Sequence, residues 1–295
     1  MGKPLILHLL DNIASVISPE DIYVVVGHCA QDVQRIVSES YGHAQYVFQK
    51  EQLGTGHAVM QCETHIRNNR LPALILAGDV PLVNADMVSA MYDFHHKNKS
   101  DITVLTTSLE DPTGYGRIVR DTSQTFLQKI VEQKDATQEE SRIHEINSGI
   151  YLVSTELLFE LLKRVTPNNQ QKEYYLTDIV TLGKQRDLKV IPFLFENAEL
   201  LRGINSREDL AIVANYLYQS TIKRHWYNGV TILSPTTTFI DPDVVLEADV
   251  IIEPCVVLRG KSHIRKGSLV RSFCDLTDYV SKTDEEIVPN GTLNI

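Results

Sequence analysis

The chain has 295 residues, 43% of them hydrophobic, which is material for one large packed domain and a small appendage. Its 28 basic and 38 acidic residues leave a net charge of -10, which argues against a nucleic-acid groove but not against a small anion held by a local positive site. No apolar run reaches membrane-spanning length and no secretory leader pattern opens the chain, so a cytoplasmic protein with no membrane partner is expected. Cys29, Cys62, Cys255 and Cys274 form no C-x-x-C pair and are expected as reduced thiols.

In chain order, Leu5, Leu9, Ile13 and Val16 fall at helical spacing, and Ser18-Pro19-Glu20 stops that helix. Ile22 to Gly27 is a continuous β-branched run that predicts a strand buried on both faces. A helix from Asp32 to about Ser40 and a strand at Gln45–Phe48 follow, then a glycine turn and a helix to about Arg67. Leu74 to Gly78 reads as a third buried strand, Met87 to about Lys97 as a helix, and Ile102 to Thr107 as a fourth strand. Short connections between alternating strands and helices predict a doubly wound α/β sheet with ligands beyond the strand carboxyl ends. From Gly116 the pattern turns β-rich, at Ile118-Val119, Leu127–Val131 and Ile146–Val153. Helix at Thr155–Arg164, strand at Leu188–Phe195 and helix at Asn205–Lys223 follow, the last with Ser206 available as its cap.

The C-terminal region repeats every six residues: DPDVVL, EADVII, EPCVVL, RGKSHI, RKGSLV, RSFCDL. Its sixth position is always aliphatic (Leu246, Ile252, Leu258, Ile264, Val270, Leu276), and its fourth is small or branched. That is the pattern of a hexapeptide β-helix of about two coils, with Pro235–Ile240 a further side. The expected organisation is an α/β domain over 1–228, the short β-helix over 229–280 and a polar tail over 281–295.

Two segments carry the chemistry. Gln49-Lys50-Glu51-Gln52-Leu53-Gly54-Thr55-Gly56-His57-Ala58 reads as strand end, glycine turn and helix start, where a planar or anionic ligand can approach the backbone. In Leu76-Ala77-Gly78-Asp79-Val80-Pro81-Leu82, a lone carboxylate follows a buried strand; Asp79 reads either as a metal ligand or as a turn cap. His57, Cys62 and His65 do not complete a closed zinc site, no serine lies in a nucleophile elbow, and no Walker-type loop occurs.

Together these strings resemble the sugar-1-phosphate nucleotidyltransferases, and in particular the uridyltransferase half of the bifunctional N-acetylglucosamine-1-phosphate uridyltransferase/glucosamine-1-phosphate acetyltransferase family. Further strings match in the same order: Asp111-Pro112-Thr113-Gly114-Tyr115-Gly116-Arg117, Ile130-Val131-Glu132-Gln133-Lys134, Glu145-Ile146-Asn147-Ser148-Gly149 and Glu173-Tyr174-Tyr175-Leu176-Thr177-Asp178. The resemblance implies a Rossmann-like nucleotidyltransferase sheet followed by a short left-handed hexapeptide β-helix. It implies uridylyl transfer from UTP to N-acetylglucosamine 1-phosphate, giving UDP-N-acetylglucosamine and pyrophosphate for cell-wall peptidoglycan precursors. Gln49, Gly54 and Thr55 would read uracil. Gly78, Gly116, Glu132, Asn147, Tyr175 and Thr177 would contact the rest of the substrates. Asp79 and Asn205 would hold Mg2+, although Asn205 alone reads as a helix cap. The hexapeptide segment points by the same analogy to a homotrimer.

The family also opens with a strand and an L-x-x-G-x-G-T-x-M…P-K phosphate loop, which the sequence as written does not contain. It begins Met1-Gly2-Lys3-Pro4, and Lys3 matches a family lysine outside that loop. No catalytic residue is therefore assigned, and Lys50 and Lys134 have no assigned place on a triphosphate. The strands flanking the absent one are expected to carry unpaired backbone groups, at roughly 1–3 kcal/mol per buried unsatisfied group. No acetyltransferase activity is expected of so short a β-helix. A non-catalytic relative that binds UDP-sugars or serves assembly is the alternative reading.

Overall fold

The computed structural model describes residues 2–66 and 71–289. The chain divides into two compact units, one of Leu5–Gly203 and one of Met1–Pro4 with Ile204–Ile295.

In the first unit, α1 (Leu5–Ile13) buries Leu9, Leu10 and Ile13, whereas Val16, expected on the same face, lies past the helix end and is exposed. β1 (Tyr23–Val26) pairs in parallel with β2 (Gln45–Phe48), joined by α2 (Ala30–Ser40). The helix expected through Arg67 is two short pieces, α3 (Thr55–Met60) and α4 (Glu63–Ile66), and Arg67 itself lies outside the described residues. β3 (Pro72–Ile75) leads to α5 (Ala85–Asn98), which Asn84 caps by accepting from the Met87 N–H at 3.0 Å.

The main sheet is mixed. β4 (Ile102–Ser108), β5 (Arg117–Arg120), β6 (Leu127–Val131), β7 (Glu145–Ser154) and β8 (Val190–Leu194) lie in the order β6-β5-β7-β4-β8, with β3 also on β7. Ten-residue β7 runs antiparallel to its neighbours: its carboxyl half holds β3, and its amino half meets β5 at Ile146–Arg117. α6 (Thr155–Leu162) and α7 (Asp178–Lys184) complete the core around fully buried Ile102, Val104, Leu158 and Ile179. α7 had no counterpart in the sequence pattern; its seven residues are too few to display a helical period.

β1 and β3 depart from expectation. Tyr23 and Val25 of β1 and all four residues of β3 are only half-buried, not buried on both faces. Each strand has a partner on one side alone: β1 pairs with β2 and β3 with β7, and no strand lies between them among the described residues. The apolar runs are those of interior strands, but each has an open edge.

In the second unit, α8 (Arg207–Tyr227) begins at Ser206, whose hydroxyl accepts from the Asp209 N–H at 3.0 Å. The strands that follow are β9 (Thr231–Ile232), β10 (Phe239–Ile240), β11 (Val245–Leu246), β12 (Ile251–Ile252), β13 (Val257–Arg259), β14 (His263–Ile264), β15 (Leu269–Val270), β16 (Asp275–Thr277) and β17 (Glu286–Ile287). Phe239 faces Val257, which faces Asp275; Val245 faces His263. Each strand thus stacks on the one three sides later, so a coil comprises three six-residue sides. All six aliphatic sixth positions are at most 5% exposed, and the fourth positions, Val244 to Cys274, at most 2%. Pro235–Ile240 is a side of the same kind, with Ile240 and Thr238 buried.

β17 corrects the expected polar tail. Ile287 stacks on Val270 and is 4% exposed. The six-residue phase breaks after Leu276, so a strict cut in sixes misses it.

Candidate functional site

The glycine turn after β2 is held from several sides. Gly54 has φ +107, and a Cβ there would come within 2.7 Å of the Tyr174 carbonyl oxygen. The Gln49 amide, 8% exposed, donates to Gly54 O at 3.3 Å and meets His57 Nδ1 at 3.0 Å. Gln49 is therefore part of what shapes the turn, and its amide nitrogen is engaged within the protein.

The turn is zipped to a segment 120 residues away in sequence terms, just ahead of α7. The Tyr174 N–H donates to Leu53 O at 2.8 Å, the Gly56 N–H to Tyr174 O at 2.7 Å, and the Leu176 N–H to Thr55 Oγ1 at 3.1 Å. Thr177, next in line, donates its hydroxyl to Glu132 Oε1 at 3.1 Å. Gly116 stands against the same group: a Cβ on it would lie 3.5 Å from Glu132 Oε2 and 3.6 Å from Asn147 Cβ. The Asn147 N–H donates to Gly116 O at 2.9 Å. Strings scattered from Gly54 to Thr177 thus converge in one place.

A cavity of about 970 Å³ opens there, and Thr55, Gly78, Glu132, Asn147 and Thr177 all line it. Its size is at the upper end of ordinary ligand pockets. Space in front of Gly78 is open, since a Cβ there would meet nothing within 4 Å. Asp79, which follows it, is an exposed residue. Tyr175 is not brought to the cavity: it is buried, and its hydroxyl accepts from Gln171 Nε2 at 2.7 Å. Asn205 belongs to the other compact unit, where its N–H donates to Asp209 Oδ2 at 3.2 Å, while Ser206 caps α8.

The site is acidic. Burial pushes the Glu132 carboxyl above its usual range; the Thr177 hydroxyl opposes this, and Asp135, Asp178 and Glu173 add to it. Burial and then Asp135 raise Asp178. Partial desolvation raises Asp79 as well, against a backbone hydrogen bond. No lysine or arginine lines the cavity among the described residues. A polyphosphate would need added cations here. Among the described residues no three His, Cys, Asp or Glu side chains cluster.

Two residues escaped the sequence reading. Arg117, 1% exposed beside Gly116, donates to the Tyr115 carbonyl and, at 2.7 Å, to Gln133 Oε1, fixing both flanking loops. Tyr151, 1% exposed, lines the cavity near Glu132 and Asn147, yet its hydroxyl has no hydrogen bond of ordinary geometry. Both lie in strings whose local pattern reads as plain strand.

Among the described residues no helix is long and apolar enough to cross a membrane. Residues 1–228 match the family described as Nucleotidyl transferase. The chain is 40% identical over 279 residues, 95% of its length, to Bifunctional protein GlmU of Listeria monocytogenes, and spans 60% of that protein. The same-named protein of Alkaliphilus metalliredigens is 40% identical over 290 residues, 98% of this chain and 61% of its own. That of Enterococcus faecalis is 38% identical over 277 residues, with 94% and 59% covered. The chain therefore spans about 60% of the length of the curated relatives it matches. A crystal structure of UDP-glucose pyrophosphorylase complexed with UDP-glucose superposes with a TM-score of 0.51 at 19% identity, covering 72% of this chain and 87% of that one, a likeness of fold. The resemblance read from the motifs and the expected fold class are borne out, and the chain belongs to the nucleotidyl transferase family.

Proposed function

We propose that the protein transfers a uridylyl group from UTP to N-acetylglucosamine 1-phosphate, releasing pyrophosphate and giving UDP-N-acetylglucosamine. The observation that carries this reading is the convergence of Thr55, Gly78, Glu132, Asn147 and Thr177 on one cavity in a member of this family. In the reaction a phosphate oxygen of the sugar phosphate attacks the α-phosphorus of UTP. The bond from that phosphorus to the bridging oxygen breaks, and its electron pair leaves with pyrophosphate. Such chemistry is mostly positioning and charge neutralisation.

The turn of Gln49, Gly54 and Thr55 would border the base. Gly78 and Gly116 leave room for the substrate, and Tyr175 supports the wall that carries Thr177. Glu132 and Asn147 would bind sugar hydroxyl and N-acetyl groups, Glu132 being oriented by Thr177. Asp79 would hold Mg2+, which when bound supplies positive charge to the phosphates. The same reading carries a cytoplasmic homotrimer serving cell-wall precursor synthesis, with the transferase over 1–228 and the β-helix from 229 onward through β17.

The test is pyrophosphate release by the purified chain with UTP, N-acetylglucosamine 1-phosphate and Mg2+, alongside Asp79→Ala. Release that falls more than about tenfold in the variant is expected, the loss of one metal-ligand interaction being several kcal/mol of transition-state charge stabilisation. No release from a cooperatively folded chain, or release indifferent to Asp79, contradicts the reading.

A further inference from the structure

His57 lies in α3 with Gln61 at the end of that helix, and its ring is 6.2 Å from that of Tyr174, whose backbone holds the glycine turn. Each ring nitrogen of His57 faces a side-chain amide nitrogen: Nδ1 lies 3.0 Å from Gln49 Nε2, and Nε2 lies 3.1 Å from Gln61 Nε2. Both amides are also anchored on a backbone carbonyl, Gln49 Nε2 donating to Gly54 O at 3.3 Å and Gln61 Nε2 to His57 O at 3.1 Å. A neutral imidazole has one acceptor nitrogen and one N–H, and an imidazolium has no acceptor. The ring can therefore accept from only one of the two amides, and the other must turn to present its oxygen.

Burial decides between them. Gln49 is buried, and turning its amide would set Oε1 against Gly54 O, two acceptors with no donor between them. Gln61 is half-buried: once turned, its Oε1 accepts from the ring Nε2–H, and water can take over at the His57 carbonyl. The ring is therefore the Nε2–H tautomer, with Nδ1 accepting from Gln49. Both N–H groups of the Gln49 amide are then engaged, one on Gly54 O and one on His57 Nδ1. Oε1 is the one polar atom of that side chain with no hydrogen bond among the described residues.

We propose that His57, in this tautomer, is the positioning residue that sets base specificity: it fixes the Gln49 amide so that only an acceptor, Oε1, is offered at the turn. This rests on the base being seated at the turn, as proposed above, and adds how the base is chosen. A pyrimidine whose ring edge carries an N–H there, the imide of uracil, donates to Oε1. Cytosine has a lone pair on the same ring nitrogen, so two acceptors would face each other and both would stay unpaired. An amide able to turn would discriminate weakly, because it could offer Nε2–H to cytosine and Oε1 to uracil. Without the acceptor on His57, the Gln49 side chain alone does not make the choice.

The test uses the whole chain, UMP and CMP as probes, and the variants His57→Asn and His57→Leu, with affinities read by calorimetry. Asparagine keeps an acceptor oxygen near the place of Nδ1, whereas leucine keeps bulk and removes the acceptor. UMP is expected to bind the unaltered chain and His57→Asn at least about tenfold more tightly than CMP, and the ratio should fall below about threefold in His57→Leu. A merely structural role would weaken both nucleotides together and leave the ratio unmoved. In the unaltered, isotope-labelled chain, long-range nitrogen–proton correlation should show the His57 ring protonated at Nε2 and bare at Nδ1, a readout that needs neither variant to fold. A ratio near one in the unaltered chain, a ratio unchanged by leucine, a ratio lost equally with asparagine, or a ring protonated at Nδ1 overturns the proposal, and with UMP bound it leaves uridylyl transfer standing. No UMP binding by the folded, unaltered chain overturns both.

Discussion

In the C-terminal unit each coil strand stacks on the strand three sides away, and Val250, Ile252, Val256 and Leu258 are fully enclosed. In the Leu5–Gly203 unit, Val104, Val153 and Leu158 are as fully enclosed, yet β1 and β3 face each other across a cavity with their edges open. A repeat closes its core by local rules, since each side needs only the one above and below. A wound sheet depends on strands distant in sequence, and the gap between β1 and β3 is where its ligand-sized space lies. Stability thus rests on the closed stacks, whereas the ligand-sized space lies at the open rim.

The sharpest way to break this contrast is a cavity-making substitution in the closed stack. Ile252→Ala, at a fully buried sixth position, should cost about 2–5 kcal/mol and lower the denaturant midpoint without changing the rim. Leu74→Ala, beside the open cavity and already half-exposed, should cost under about 1.5 kcal/mol, because less contact is lost. Equal losses at the two sites in urea titrations would erase the difference between the regions.

His225 tests the closed unit by pH. It is 3% exposed on α8, and burial first, with Arg224 second and a contact with the Val244 backbone opposing, pushes its pKa down to about 4 from 6.5. A depressed folded pKa means that the unfolded chain takes up the proton first. Stability is therefore full above pH 6.5 and falls as pH drops toward 4, by roughly 3 kcal/mol in total. His225→Asn should remove that part of the acid dependence in thermal melts between these limits. An unchanged slope would show that His225 is not the group responsible.

Two smaller effects bear on the rim. Gly54→Ala should cost about 1–3 kcal/mol, since its φ of +107 is strained for alanine and the new Cβ would crowd the Tyr174 carbonyl. It should also loosen the Tyr174–Thr177 segment, seen as faster amide exchange at Gly56 and Leu176. Asn84→Ala, removing the α5 cap beyond β3, should cost about 1 kcal/mol and leave ligand binding unchanged. Calorimetry on the two variants separates turn geometry from general stability.

The two regions were also unequally legible. The fourth and sixth positions of the hexapeptides gave the β-helix core residue by residue, because burial there is dictated by a period of six; Ile287 escaped, after the phase broke, as did Val230 and Ile232 ahead of the first side read. β2 and β6 were legible to the residue because turn signals bound them, and β7 missed by one at each end. The half-burial of β3 was not legible, since an apolar run states what a strand is made for and not whether a neighbour occupies its edge. Of the candidate site, the glycine turn and Glu132 could be read, but the zipper from Leu53 and Gly56 to Tyr174 is long-range and leaves no local signature. Arg117 and Tyr151 were hidden for the same reason: their burial arises from tertiary packing alone.

The claim that this cavity holds a nucleotide sugar is tested most directly by titrating UDP-N-acetylglucosamine with Mg2+ into the intact chain and into Glu132→Gln and Thr177→Val. Saturable binding is expected, weakened about tenfold or more by either variant, as for the loss of one charge-assisted hydrogen bond in a buried site. Absence of binding by a folded chain, or affinity equal in all three proteins, would contradict the assignment of the site.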